Sequence, residues 1–253
     1  MRRLAAILTG LATAVAILGA ALLLLMTPAY LHAGLDASGS AAFLGTTAAE
    51  THRLSDETVA ELFVGPGTFA EQWRASCPGG SDSSCSSIGQ PFYDPAEVRH
   101  MQDVRTVLWG FLAVVAAAVV VLLAGLARAR RAAWWWRAVA VGAGVLAVGT
   151  VALGALFAVA FDPMFTLFHE IFFPGGDWSF DPSTSHLVQL YPIPFWELTT
   201  AVLAGLMFVG GVLVCWLARR RAAWAAAGAT RDTRAESVTV PGARRPLSGE
   251  GPG

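Results

Sequence analysis

The chain has 253 residues, of which 55% are hydrophobic and only 14% charged, and its formal net charge is -1. Its mean hydropathy is +0.56. A soluble domain carries about 25% charged residues, so the composition excludes an ordinary soluble protein and indicates an integral membrane protein. The net charge is the sum of two oppositely charged faces, and it therefore gives no support for a nucleic-acid partner.

Four uncharged apolar runs, at residues 4–26, 106–127, 138–161 and 198–218, predict four transmembrane helices. Each run is close to the length of about 20 residues that a helix needs to cross the hydrocarbon core. There is no lysine, and 13 of the 17 arginines lie beyond one set of helix ends, whereas 15 of the 18 acidic residues lie on the other side. Because positive charge is retained in the cytoplasm, we expect both termini to be cytoplasmic.

The segment after the first helix predicts a small extracytoplasmic cap over residues 31–102. Ser55 before two acids predicts a helix start, and Thr68 with Glu71 has capping-box spacing, so we expect two short helices. Cys77 and Cys85 enclose a short loop on the oxidising side, which favours a disulfide. The alternative of a redox or metal-binding thiol pair has neither CxxC spacing nor an accompanying histidine.

Residues 162–196 form a second segment with unusual composition, between the third and fourth apolar runs. It is rich in aromatic residues, proline and carboxylates, which is typical of a loop that lies in the membrane interface. After residue 221 the sequence turns to alanine, glycine, arginine, threonine and proline without an apolar period. Residues 1–221 therefore predict one transmembrane domain, and residues 222–253 predict a disordered cytoplasmic tail.

Two histidines stand at similar depth on the outer face. His100 lies six residues before the second apolar run, and His169 lies eight residues after the third. As neutral imidazoles they could serve as general base and general acid on an interfacial ester. With Asp103 and Glu170 they could instead bind zinc, although no HExxH spacing is present. We interpret His32, His52 and His186 as structural.

Two motifs surround these histidines and resemble the lipoprotein intramolecular transacylase (Lit) family. The first is His100-Met101-x-Asp103-Val104-Arg105, and the second is Phe168-His169-Glu170-x-Phe172-Phe173. The second is followed by Trp178, Asp181-Pro182-x-Thr184, Pro192 and Phe195-Trp196. Ser185 departs from the aspartate expected after that threonine. The resemblance implies four transmembrane helices with an extracytoplasmic cap and essential histidines at His100 and His169. Residues that could support or orient them are Asp103, Arg105, Glu170, Trp178 and Asp181.

The family resemblance also implies an activity. An acyl chain would move from the sn-2 ester of a lipoprotein's diacylglyceryl group to the alpha-amine of the same N-terminal cysteine, at the outer face of a bacterial cytoplasmic membrane. Such a reaction would use a diacylated lipoprotein and membrane lipid as partners and would need neither a cofactor nor a metal. The alternatives are an interfacial lipid hydrolase, an intermolecular acyltransferase that uses the same histidines, or a membrane scaffold without catalysis.

Overall fold

The computed structural model describes residues 1–74, 88–176 and 178–239, and within them the protein is all α-helical. One isolated bridge joins Gln72 to Pro91. The helices in chain order are α1 (Arg2–Leu25), α2 (Pro28–Ser38), α3 (Ser40–Leu44), α4 (Ala48–Phe63), α5 (Pro95–Ala129), α6 (Ala133–Val159), α7 (Phe161–Phe172), α8 (His186–Leu190) and α9 (Ile193–Thr239).

Four of these helices are long and apolar enough to cross a membrane: α1, α5, α6 and the part of α9 from Ile193 to Gly228. The four predicted spans are therefore confirmed. α5 begins at Pro95, about three turns before its apolar run, because Asp94 and Glu97 form a capping box there. His100 is thus part of the spanning helix rather than of a lead-in loop.

α9 continues to Thr239, so the first part of the predicted disordered tail is helical. Alanine and arginine dominate the segment after the apolar run. Both residues have high helix propensity, which explains why α9 continues there. Residues 240–253 lie outside the described residues, and the prediction of disorder stays untested there.

The membrane bundle is built on α6, which packs mainly against α9 and α1, while α1 also packs against α5. Where α1 and α6 cross, Gly10 faces Gly142 so closely that a Cβ on Gly142 would collide with the Gly10 backbone. Lipid supplies no hydrophobic drive between helices, so close backbone approach at small residues holds such contacts.

The cap consists of α2, α3, α4 and the segment that leads to Pro95, and its core includes Leu54, Phe69, Phe92 and Leu190. The predicted helix start at Ser55 is wrong. α4 begins at Ala48, where the Thr47 side chain accepts from the Glu50 N–H at 3.2 Å. Ser55 lies inside α4, fully buried, with its hydroxyl 3.0 Å from that of Tyr191. Thr47 is therefore the residue that caps α4. Ser55 serves a tertiary contact with Tyr191 instead.

The predicted helix at Thr68 to Glu71 is also absent, and the segment there is irregular. Phe69 has φ of 48° and a fully buried ring. The Thr68 N–H is bound by Glu61 Oε2 at 2.7 Å, which replaces the partner that a capping box would have offered. Cys77 and Cys85 lie within residues 75–87, outside the described residues, so the disulfide stays a prediction.

The predicted interfacial loop contains two helices, α7 and α8, on either side of an irregular segment. Ala160, with φ of -145° and ψ of 50°, separates α6 from α7. α7 buries none of its residues completely, and large apolar side chains including Phe168, Ile171 and Phe172 are exposed along it. Such a helix suits the membrane interface, where an apolar face enters lipid.

Candidate active site

His100 sits in the second turn of α5 and is buried, with 7% of its surface exposed. The capping box fixes the start of this helix: Asp94 accepts from the Glu97 N–H at 2.8 Å, and the Glu97 carboxylate accepts from the Asp94 N–H at 2.8 Å. The His100 imidazole packs edge-on against Phe173, with ring centroids 4.9 Å apart, and against Phe180, with ring centroids 5.7 Å apart. The position of His100 is therefore set by a rigid helix end and by apolar walls.

His169 lies in the last turn of α7 and is half-buried. Its Nδ1 is 2.8 Å from the Phe165 carbonyl oxygen. A carbonyl oxygen can only accept, so Nδ1 carries the proton and the neutral ring presents its lone pair at Nε2. Desolvation by burial lowers the pKa of His169 below its usual value of 6.5, because burial disfavours the charged imidazolium.

The two histidines are brought together from different helices. Their ring centroids are 6.1 Å apart and the ring planes differ by 29°. Aromatic rings surround the pair. The ring centroids of Phe165 and Trp178 lie 4.2 and 5.0 Å from that of His169. Phe173 packs against both imidazoles. Two imidazoles brought together within an apolar wall can accept and donate protons.

The other predicted site residues fall in different places. Trp178 is part of the aromatic wall. Asp103 and Glu170 have exposed side chains. In the described parts of the chain, no group of three or more histidine, cysteine or carboxylate side chains is arranged to hold a metal ion.

Arg105 and Asp181 support neighbouring structure. The Arg105 guanidinium donates to the Glu61 carbonyl at 2.6 Å, which ties the end of α4 to α5. Asp181 accepts from both the N–H and the hydroxyl of Ser183, at 2.8 and 2.7 Å. These bonds lower the pKa of Asp181 and fix the turn that directly follows Phe180.

The residue that sequence reasoning missed is Glu97, one turn before His100 and 1% exposed. Its Oε1 accepts from the Ser185 hydroxyl at 2.5 Å and from the Leu187 N–H at 2.9 Å. Glu97 thereby joins the start of α5 to the start of α8. Its spacing from Asp94 signals a capping box in the sequence, but nothing in the sequence indicates the bond to Ser185. A serine at position 185 suits this contact, since an aspartate would place a second carboxyl group beside Glu97.

Known proteins resemble this chain in a family profile and in fold. Residues 86–196 match the family profile of lipoprotein intramolecular transacylase Lit. No curated protein matches the chain in sequence.

Among solved structures, the chain is similar to the lipoprotein intramolecular transacylase Lit of Bacillus cereus. The TM-score is 0.70 at 17% identity, over 87% of this chain and 95% of that one. Two variants of the same protein, with one histidine replaced by arginine or by alanine, match with TM-scores of 0.65 and 0.64 at 17% identity. The first covers 93% of this chain and 95% of that one, and the second covers 87% and 93%.

At this identity the solved structures establish the shared fold, and the family profile covers both histidine motifs. The resemblance that the two motifs indicate is thus confirmed: residues 86–196 of this chain match the Lit family profile, and the match supports a membrane acyltransferase.

Proposed function

We propose that the protein transfers an acyl chain within a diacylated bacterial lipoprotein, from the sn-2 ester of the diacylglyceryl group to the alpha-amine of the N-terminal cysteine. The observation that carries the proposal is the His100 and His169 pair, 6.1 Å apart within aromatic walls. The family match over residues 86–196 supplies the substrate class.

In this proposal His169 is the base. Its Nδ1 proton is engaged by the Phe165 carbonyl, so Nε2 is the nitrogen that can accept a proton. The lowered pKa of His169 keeps the ring neutral at pH 7, which is the form that a base requires. The substrate's alpha-amine has an ordinary pKa of about 8, so part of it is neutral and nucleophilic near pH 7. His169 can then take the proton that this nitrogen gives up as it bonds to the ester carbon.

His100 then has the complementary task. A neutral imidazole retains one N–H, which can donate to the oxyanion that develops on the ester carbonyl. Its burial against Phe173 and Phe180 excludes water, and a hydrogen bond to a developing charge is worth more in such surroundings than in water. Rigid placement on α5 means that little reorganisation is needed during the reaction.

The reaction balances without any added reactant. The amine nitrogen forms a bond to the ester carbonyl carbon, the bond from that carbon to the sn-2 oxygen breaks, and one proton moves from nitrogen to the departing glycerol oxygen. An amide and a free hydroxyl result. Because amine and ester belong to one molecule, the protein has only to bring them together and manage the protons.

The location of the site suits a lipid substrate. α7 carries His169 and exposes Phe168, Ile171 and Phe172, so acyl chains can reach the imidazoles directly from the bilayer. Among the described residues, the arginines at the start of α1, between α5 and α6 and on the second half of the α9 span lie at the opposite ends of the spanning helices. By the positive-inside rule, the histidines then face the extracytoplasmic side.

The test is to express the protein in a bacterial host that lacks its own lipoprotein N-acylation. Mass spectrometry of a lipoprotein's N-terminal peptide then locates the two acyl chains. One chain on the amine and one on glycerol is the expected result. Free fatty acid with a free amine would indicate a hydrolase, and acyl groups on a second lipid would indicate an intermolecular transferase. An unchanged diacylglyceryl cysteine, with the protein well expressed, would contradict the proposal.

A further inference from the structure

The end of the bundle opposite the histidines carries a concentration of arginine. Arg128, Arg130 and Arg131 end α5 and form the turn to α6, and Arg219, Arg220 and Arg221 lie on α9. The carboxylates whose side chains the structure describes all belong to the cap, the start of α5, α7, the segment after it, or the start of α9. Among the residues whose side chains the structure describes, no carboxylate belongs to the helix ends that carry these arginines.

Some of these arginines line a pocket of about 610 Å³ between the α5–α6 turn and α9. Its lining includes Leu126, Arg130, Arg131, Trp136, Arg221 and Trp224. The volume falls within the range of about 300–1,000 Å³ that is usual for small-molecule sites. The pocket is thus lined by three arginines and two tryptophans.

Specific contacts fix the pocket's walls. Trp136 Nε1 donates to the Arg130 carbonyl at 2.7 Å, which holds the turn against the first turn of α6. On the facing wall, the guanidinium groups of Arg220 and Arg221 lie 5.9 and 5.7 Å from the centre of the Trp224 ring. Such cation–π contacts restrain long side chains.

We propose that this pocket binds the phosphate headgroup of one anionic phospholipid from the cytoplasmic leaflet. Arginine binds phosphate with a planar fork of donors, and basic pockets between transmembrane helices on the cytoplasmic side are suited to anionic headgroups. Tryptophan favours the level of the headgroups. Leu126, which is 39% exposed at the pocket's edge, leads towards the hydrocarbon core where acyl chains would lie.

A bound headgroup would connect parts of the bundle that otherwise contact each other little. α5 packs mainly against α1 and α4, whereas α9 packs mainly against α6. A phosphate held by Arg130 and Arg131 from the turn, and by Arg221 from α9, would bridge the two. We therefore expect the anionic lipid to stabilise the bundle.

His100 and Arg130 stand 30 residues apart on one continuous stretch, about 45 Å along a helix, so the site is distinct from the histidine pair.

The test compares the purified full-length protein in nanodiscs of phosphatidylcholine alone and in nanodiscs that contain 20 mol% phosphatidylglycerol. The probe is thermal unfolding, together with the phosphatidylglycerol retained per protein after detergent extraction. The variant is the triple substitution of Arg130, Arg131 and Arg221 by alanine. Its matched control replaces Arg3, Arg128 and Arg137, which are exposed at the same end and do not line the pocket. A third variant replaces the three pocket arginines by lysine, which keeps the charge.

We expect phosphatidylglycerol to raise the unfolding temperature of the wild type and of the control, and to be retained by both. In the alanine variant, affinity should fall by about fivefold for each arginine removed, and the lipid-dependent rise should disappear. The lysine variant should keep part of the lipid-dependent rise in unfolding temperature. Such a result would show that the alanine variant has lost lipid binding rather than the ability to fold. Equal losses in variant and control would show only general surface charge and overturn the site. Full stabilisation by inorganic phosphate in phosphatidylcholine discs would overturn the assignment to a lipid.

Discussion

At the residue scale, buried polar groups decide how the cap behaves, and Glu71 is the clearest example. It is 7% exposed, and among the described residues its carboxyl oxygens make no hydrogen bond to another residue. Desolvation raises its pKa from 4.5 to about 7. In the folded protein this carboxyl keeps its proton at a pH where the unfolded chain has lost it.

The sign of the pH dependence follows from that difference. The unfolded chain binds fewer protons than the folded one above pH 4.5, so the free energy of unfolding should fall as the pH rises towards 7 and beyond. The full loss is about 3 kcal/mol, at 1.36 kcal/mol per pKa unit. In Glu71→Gln the fall should be absent, so the variant should gain stability relative to the wild type at pH 8 but not at pH 4.5. Thermal unfolding between pH 4.5 and pH 8 measures this change in stability.

The control is Asp103→Asn, which replaces an exposed carboxylate and should show the pH dependence of the wild type. A Glu71 variant whose stability falls with pH as steeply as the wild type would contradict this prediction.

Ser185 gives a second prediction at this scale. Its hydroxyl donates to the buried Glu97 carboxylate, and its side chain also accepts from the Val188 N–H at the start of α8. Ser185→Ala should cost about 1–3 kcal/mol of stability, since it deprives a buried carboxylate of a donor. Unfolding of the purified variant tests this. Ser183→Ala removes an exposed hydroxyl that bonds only to a surface turn and should cost much less. Equal losses would show that the Glu97 contact has no special weight.

At the scale of elements, one face of α5 holds the end of α4. Gln102 donates to the Gly67 carbonyl at 3.2 Å, Arg105 to the Glu61 carbonyl at 2.6 Å, and Trp109 to the Leu62 carbonyl at 3.1 Å. These three donors lie three and four residues apart, as one helical face requires. Arg105 and Trp109 satisfy carbonyls that the end of α4 would otherwise leave without partners, and Gln102 binds the segment that follows α4.

Arg105→Ala should therefore loosen the cap without moving the histidines. A hydrogen bond from a charged donor contributes about 1.5–3 kcal/mol, and its loss should raise the rate at which proteinase K cleaves after α4. The matched variant is Arg99→Ala, which removes an exposed arginine from the same helix and should be cleaved at the wild-type rate. Wild-type resistance of the Arg105 variant would mean that Arg105 does not fasten the cap.

At the scale of the whole molecule, the parts fixed by the membrane were predictable and the parts fixed by tertiary contact were not. Hydrocarbon length and arginine placement suffice for four spans, and the positions of His100 and His169 next to those spans place them at one depth. The contact between Glu97 and Ser185 joins residues 88 apart in sequence, and no local pattern reports it. Ser55 has the composition of a helix start but serves a tertiary hydrogen bond inside α4.

The role expected of Arg105 shows the same limit. The family resemblance offers it as a support for the imidazoles, yet its guanidinium points to the end of α4. Which face of α5 meets the cap depends on how the helices pack, and a shift of one residue turns a side chain by about 100°. The aromatic residues of the interfacial segment were identified as a group, whereas their arrangement around His169 required the structure.

The position of the acyl chains in lipoprotein from cells that carry either His169→Ala or His52→Ala shows whether the histidine pair is needed for the transfer. His52 is a cap histidine that pairs with Asp36 at 2.8 Å, so its variant controls for expression and for the loss of an imidazole. Mass spectrometry of the N-terminal peptide should show the N-acylated lyso-form with the wild type and with His52→Ala, and only diacylglyceryl cysteine with a free amine with His169→Ala. Conversion by the His169 variant at the wild-type level, with both variants inserted in the membrane, would contradict the account.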